Sequence, residues 1–313
     1  MNIFINLPTW LGDAVMASAA IYAIKEKHPQ AKFTFYGSFV STELFKHFEN
    51  AQVLVENKKQ RYRQILQARK SLGKFDLAFS FRSAFSSKII LNLIKAKKRF
   101  YFDKNILKEE HQVLKYLNFI EKALNFKATL NSLKLPIKAK STQKILGINP
   151  GAHFGSAKRW EASYFARVAK EFSSTHQILI FGVESEREIC DEIEHFLLKE
   201  GIRAKNLCGK TSIYTLCKNI SMLDLLITND SGPMHIGAAY GVKTVAVFGS
   251  TKFSQTSPWQ ENAKIAHLNL ACMPCMQKTC LLKHHKCMKD LKPEVVINLA
   301  KTFFNIFFFV IWV

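Results

Sequence analysis

A chain of 313 residues has room for one or two domains with cores of their own, and 48% hydrophobic with 22% charged residues is a globular composition, which excludes a disordered or fibrous protein. The formal charge is +21, and between Lys58 and Lys140 there are 21 Lys and Arg against 5 Asp and Glu, so +16 of it lies in that one stretch. Such a field suits nucleic acid, an anionic membrane leaflet or a phosphorylated substrate, but no zinc-finger, basic-zipper or RNA-recognition pattern is present, and nucleic acid is not expected as a partner.

No positively charged export signal with an apolar core opens the sequence, so a cytoplasmic protein is expected. Instead Ile3 to Leu7 reads as a strand, Pro8 to Gly12 as a turn, and Asp13 to about Lys27 as a helix with Val15, Ala19, Tyr22 and Ala23 on one face. Strand, polar turn and helix make half of a βαβ unit. Asp13 at that turn fits two roles. It could cap the helix, or it could be a general base, because a carboxylate at the carboxyl end of a first strand faces the crevice where open α/β sheets bind ligands. Further strands are expected at Lys32 to Tyr36, Ala51 to Val55, Phe75 to Phe81 and Lys98 to Phe102, with helices near Tyr62 to Leu72 and His111 to Leu124. Leu135 to Lys144 is basic, contains Pro136 and lacks periodicity, which marks a linker.

A second α/β series begins at Lys144 to Asn149, followed by the turn Pro150-Gly151-Ala152 and a helix from Tyr164 to Phe172. Lys158 could neutralise a phosphate there, while Trp160 reads as core. Strands at Gln177 to Phe181, Asn206 to Cys208, Leu223 to Thr228 and Thr244 to Phe248 complete five parallel elements. Ala204 to Thr211 fits a permissive phosphate-loop pattern, but no long buried strand precedes it. No Gly-x-Gly-x-x-Gly follows the first strand, which argues against a dehydrogenase. The run Leu223 to His235 is the most informative: an apolar strand stops at Asn229-Asp230-Ser231-Gly232, and Pro233 suits the first turn of a helix. Free N–H groups and the positive dipole end at such a junction favour an anion such as a nucleotide diphosphate, although Asp230 and Ser231 could simply cap the helix.

Seven cysteines without an export signal do not suggest a disulfide framework. Cys272, Cys275, Cys280 and Cys287, with His284 and His285 in the last gap, have a spacing that could hold a structural zinc, or they could pack as small hydrophobes. Phe303 to Val313 contains only Asn305 as a polar residue; it is too short to span a bilayer and reads as a packed helix end or a membrane-touching tail.

Trp10 to Val15, Asn149 to Ala152 with Lys158-Arg159-Trp160, Phe181-Gly182, Cys208 to Thr211, Thr228 to His235 and Val247 to Thr251 together resemble glycosyltransferase family 9. The matches run in order from residue 10 to about 290. This resemblance implies a GT-B fold, two Rossmann-like doubly wound α/β domains facing a central cleft. The implied acceptor-binding domain covers residues 1–140, the nucleotide-sugar-binding domain 145–290, and residues 291–313 form a helix and tail crossing back to the first domain. It also implies inverting transfer of heptose from ADP-heptose to the inner core of lipopolysaccharide, at an anionic inner-membrane surface and with no required cofactor. The family's base falls on Asp13. Its donor-binding positions fall on Lys158, Asp230, Ser231, Gly232, Met234 and His235, with Thr251 and either Glu184 or Glu186 beside them, and its acceptor positions on Arg82, Ser83 and His111.

Overall fold

The structure is a computed structural model that describes residues 1–129, 132–152 and 154–304. Two compact units divide the chain, Met1–Ile137 and Lys138–Val313, and the boundary falls inside the segment expected as a linker.

In the first unit β1 (Asn2–Asn6), β2 (Lys32–Gly37), β3 (Ala51–Val55), β4 (Phe75–Ser80) and β5 (Ala96–Tyr101) form a parallel sheet in the order β3-β2-β1-β4-β5. The connecting helices are α1 (Leu11–Met16), α2 (Ser18–Lys27), α3 (Phe39–Phe45), α4 (Arg61–Leu72), α5 (Phe85–Leu93) and α6 (Gln112–Leu124). Helices on both faces explain why β1 reads as an unbroken apolar run: Ile3, Phe4 and Ile5 are all fully buried. Along β2 the faces alternate. Tyr36 packs with Phe4 and Phe75 in a cluster that includes Ile65 and Ile90, while Phe33 and Phe35 point the other way into rings from Phe45 and Phe48. The single helix expected after Asp13 is two segments joined at Ala17. The helices α3 and α5 carry little sequence signal, because β-branched Val40 and Thr42 and the opening Ser86-Ser87 are weak helix formers.

The second unit contains β6 (Ile145–Asn149), β7 (Gln177–Ile180), β8 (Ala204–Asn206), β9 (Leu225–Asn229), β10 (Lys243–Val247) and β11 (Ala263–Ala266). They form a parallel sheet ordered β11-β10-β9-β6-β7-β8, so a sixth strand joins the expected five. Its helices are α7 (Ala162–Phe172), α8 (Arg187–Lys199), α9 (Ile213–Ser221), α10 (Gly232–Ala239), α11 (Phe253–Thr256), α12 (Lys286–Lys289) and α13 (Pro293–Lys301). Trp160, as expected, is core, and its indole N–H donates to the Leu291 carbonyl at 2.8 Å, fixing the chain that leads into α13. That last helix packs on α7, β10 and β11, so the described part of 291–313 belongs to the second unit, and the apolar residues 305–313 lie outside the described residues. Among the described residues no helix is long and apolar enough to cross a membrane.

Both orders reverse direction once, between β1 and β4 in the first sheet and between β6 and β9 in the second. At such a switch point the loops leaving the two central strands diverge to opposite faces and leave a crevice beyond the carboxyl ends. This topology places Asp13, which follows β1, and Asp230, which follows β9, each beside the switch point of its own unit.

Gly147 tests how closely the second sheet is packed. A Cβ there would meet Leu223 Cδ1 at 2.4 Å and Phe181 Cε2 at 3.0 Å. Gly147→Val is expected to cost about 1–3 kcal/mol through overpacking, read as a lower urea midpoint; an unchanged midpoint would mean that Leu223 yields freely.

Candidate active site

Asp13 is the third residue of α1, half-buried, while the N-cap position is Trp10, whose side chain makes no capping bond. Capping therefore does not account for Asp13. Burial pushes the phenol of Tyr116, on α6, well above its usual range, and the charge of Asp13 pushes it further. The Asp13 carboxylate therefore lies close enough to Tyr116 for its charge to be felt there.

The expected acceptor contacts sit in quite different surroundings. Arg82 leaves β4 and turns inward: its Nη1 is 2.8 Å from Glu56 Oε2, and its Nε donates to the Leu7 carbonyl at 2.5 Å. The side chains of Glu56 and Arg82 are only 2% and 10% exposed, and Arg61 Nε approaches the same carboxylate at 3.5 Å. One buried pair therefore ties together the exits of β1, β3 and β4. Ser83 lies half-buried in the loop before α5. His111 is buried as the N-cap of α6, its Nδ1 accepting from the Val113 N–H at 3.2 Å. Glu56 was missed in the sequence; its signal was a lone carboxylate directly after a strand in a strongly basic stretch.

In the second unit the switch point is densely bonded. Asp230 is 5% exposed, and its Oδ2 receives Lys158 Nζ at 2.5 Å and Thr251 Oγ1 at 2.6 Å. Three loops, those after β6, β9 and β10, thereby converge on one carboxylate oxygen. Ser231 caps α10 by position, and its hydroxyl accepts from Asn149 Nδ2 at 2.9 Å. Asn229 Nδ2 donates to the Pro150 carbonyl at 2.6 Å while its Oδ1 accepts from Trp160 N–H at 3.3 Å. These two asparagines, undervalued in the sequence, lock the exits of β6 and β9 to each other. Gly232 opens α10; Met234 is fully buried against Ala246 and Phe248, and His235 is also buried. The side chain of Met234 is thus core, and only its backbone faces the helix start.

The open choice between two glutamates resolves into two environments. Glu184 is exposed and gripped by Arg187 through two bonds of 2.6 Å, which hold its carboxyl below the usual range. Glu186 is buried, and its Oε2 accepts from Val183 N–H at 3.1 Å. Its carboxylate lies 2.1 Å from where a Gly151 side chain would begin, so glycine is required for the β6 exit loop to pass beneath it.

The expected zinc site is not supported. Among the described residues no group of three or more His, Cys, Asp and Glu side chains could hold a metal ion. Cys287 instead packs into the main core of the second unit, its thiol pushed up to about 11 by burial first and by its cysteine neighbours second. Cys275 is exposed and Cys272 and Cys280 are half-exposed, and all four cysteines line a cavity of about 200 Å³.

Removing one member of the buried Glu56–Arg82 pair should leave the other charge stranded. Glu56→Ala is expected to cost about 3–5 kcal/mol of stability in denaturant titration, and the double change Glu56→Ala with Arg82→Ala less than the sum of the two single changes. Additive losses would show that the two side chains act independently.

The profile of Glycosyltransferase family 9 (heptosyltransferase) matches residues 65–286. Lipooligosaccharide heptosyltransferase 2 from Campylobacter jejuni subsp. jejuni serotype O:2 is 65% identical over 311 residues, covering 96% of this chain and 98% of that protein. The enzyme of the same name from Haemophilus influenzae is 27% identical over 95% of this chain and 98% of its own. Among solved structures, Escherichia coli ADP-heptose LPS heptosyltransferase II superposes with a TM-score of 0.78 at 20% identity, over 96% of this chain and 98% of that one. A glycosyl transferase family 9 structure from Veillonella parvula does so with 0.82 at 21%, over 96% of both chains. Two parallel-sheet units of this order and those superpositions are the GT-B arrangement, and the chain belongs to glycosyltransferase family 9, the heptosyltransferases.

Proposed function

We propose that the protein transfers L-glycero-D-manno-heptose from ADP-heptose to the first heptose of the lipopolysaccharide inner core, with inversion. The observation that carries this reading is the 65% identity, over nearly the whole of both chains, to a lipooligosaccharide heptosyltransferase 2. Similarity to a heptosyltransferase 1, from Campylobacter coli, is 24% over 83% of the chain, which favours the second heptose transfer over the first.

The chemistry follows from the two switch points. Asp13 takes the proton of an acceptor hydroxyl as that oxygen attacks the anomeric carbon of the donor. The bond from that carbon to the diphosphate oxygen breaks on the opposite face, and ADP leaves with the electron pair. Charge growing on the diphosphate is met by Lys158, held in place by Asp230, which Thr251 in turn orients, and by the N–H groups of Gly232, Met234 and His235 at the start of α10. An ammonium has three donors, and Asp230 occupies one of them. Glu186, buried and anchored beside the β6 exit, is the better donor contact of the two glutamates, because Glu184 is already held by Arg187. The basic first unit suits an acceptor bearing phosphates and acidic sugars, and a cytoplasmic protein resting on the anionic inner leaflet accords with the charge.

Asp13→Asn is expected to abolish heptose transfer while ADP affinity stays at the wild-type level by calorimetry; joint loss of both would assign Asp13 a structural role instead. Lys158→Ala should raise the donor KM and lower kcat, together at least tenfold in kcat/KM. Unchanged kinetics would remove it from the diphosphate site.

A further inference from the structure

The carboxyl edge of the first sheet carries a feature that neither the packing nor the proposed chemistry has used. Trp10 follows β1, Phe39 opens α3 just after β2, and Phe85 opens α5 just after β4. Their exposures are 59%, 61% and 76%. Single exposed aromatic residues are common on protein surfaces. These three, however, leave strands that are direct neighbours in the order β2-β1-β4, and every strand runs parallel, so all three rings emerge on one edge. Neighbouring strands lie about 4.8 Å apart, so the three exits span roughly 10 Å.

The exits are also fastened to one another. Ser38 Oγ donates to the Thr9 carbonyl at 2.7 Å, which ties the β2 exit to the β1 exit beside Trp10. Arg82 ties the β4 exit to Leu7 in the same way. A row of rings on braced loops loses little freedom when something is laid across it, which is the economy that aromatic binding surfaces exploit. Asp13 sits one turn into the helix that Trp10 begins. Exposed Lys58 and Lys59 follow β3, the strand on the other side of β2, where the one carboxylate, Glu56, is already neutralised by Arg82.

We propose that Phe39, Trp10 and Phe85 form an aromatic platform for the sugar rings of a phosphorylated, lipid-linked oligosaccharide acceptor, with Lys58 and Lys59 receiving its phosphates. The inference rests on the transferase reading, since a base must touch the acceptor hydroxyl and whatever lies beside Asp13 is then the acceptor's saccharide. Pyranose rings present apolar C–H faces that pack on aromatic rings, while their phosphates favour flanking lysines. A bilayer surface is the competing occupant. It would be served by rings spread over the molecule's face, whereas these rings leave three adjacent strand exits at the edge that carries the proposed base.

The test uses the full chain, the variants Trp10→Ala, Phe39→Ala and Phe85→Ala, and their conservative partners Trp10→Phe, Phe39→Tyr and Phe85→Tyr. Each alanine variant is expected to raise the KM for inner-core acceptor about tenfold, the order of one stacking contact, with ADP affinity and donor KM unchanged and the conservative variants near wild type. Deacylated core saccharide should quench tryptophan fluorescence in the wild type and not in Trp10→Phe. Binding to anionic phospholipid vesicles without saccharide should be the same for all. An unchanged acceptor KM in all three alanine variants would overturn the platform, as would loss of vesicle binding in proportion to loss of transfer, which would mark the rings as a membrane patch. Ring-dependent saccharide binding by a wild-type protein that transfers nothing would refute the transferase reading and leave the platform standing.

Discussion

Asp230 and Lys158 are two charges removed from water, and the organisation of the second unit depends on their staying together. Such a pair survives burial only when its remaining lone pairs and protons are satisfied, since desolvation of each ion costs on the order of several kcal/mol. Here Thr251 donates to the same carboxylate oxygen, and the start of α10 adds the partial positive charge of its N–H groups. The consequence is geometric. Lys158 comes from the loop after β6, Asp230 from the end of β9 and Thr251 from the loop after β10, so a single carboxylate sets the distance between three otherwise independent loops. Asn149 and Asn229 reinforce the same junction with neutral bonds. In the proposed reaction an ammonium held this way would meet the diphosphate already oriented, so that little reorganisation is required when charge develops.

The first unit solves the same problem with different residues. Glu56 and Arg82 pair in near-complete burial, and the guanidinium spreads its remaining donors to the backbone at Leu7. A planar, multiply donating head can brace several strand exits at once, which a lysine could not. Arg82, expected as an acceptor contact, is held in this edge by Glu56 and by the Leu7 carbonyl, so its guanidinium is fixed in place before any acceptor arrives.

The strands of both sheets were readable in the sequence because parallel strands covered on both faces must be apolar throughout, as Ile3 to Ile5 and Leu225 to Ile227 are. Asp13 and the Asp230 junction were readable for a related reason: a strand end followed at once by a helix start is a local pattern. Pairing was not readable. Lys158 meets Asp230 across 72 positions and Arg82 meets Glu56 across 26, and nothing in composition tells which charges will share a buried site. The short strand Ala263–Ala266, with a lysine in it, lacked the length and apolarity that identify a strand, and only its neighbour β10 makes it one. The cysteine spacing does bring Cys272, Cys275, Cys280 and Cys287 to one small cavity, but spacing alone does not fix the ligand geometry that a metal requires.

Division of the chemistry between two units has a further physical consequence. A group that removes a proton needs a carboxylate kept charged and accessible, whereas a group that stabilises a leaving diphosphate needs positive charge with little competing water. Here Lys158 has its own carboxylate in Asp230, and Asp13 has as neighbour Tyr116, a phenol kept neutral by burial and by Asp13 itself. In the proposed reaction the cation is thus already paired within the second unit, and the proposed base stands in the first.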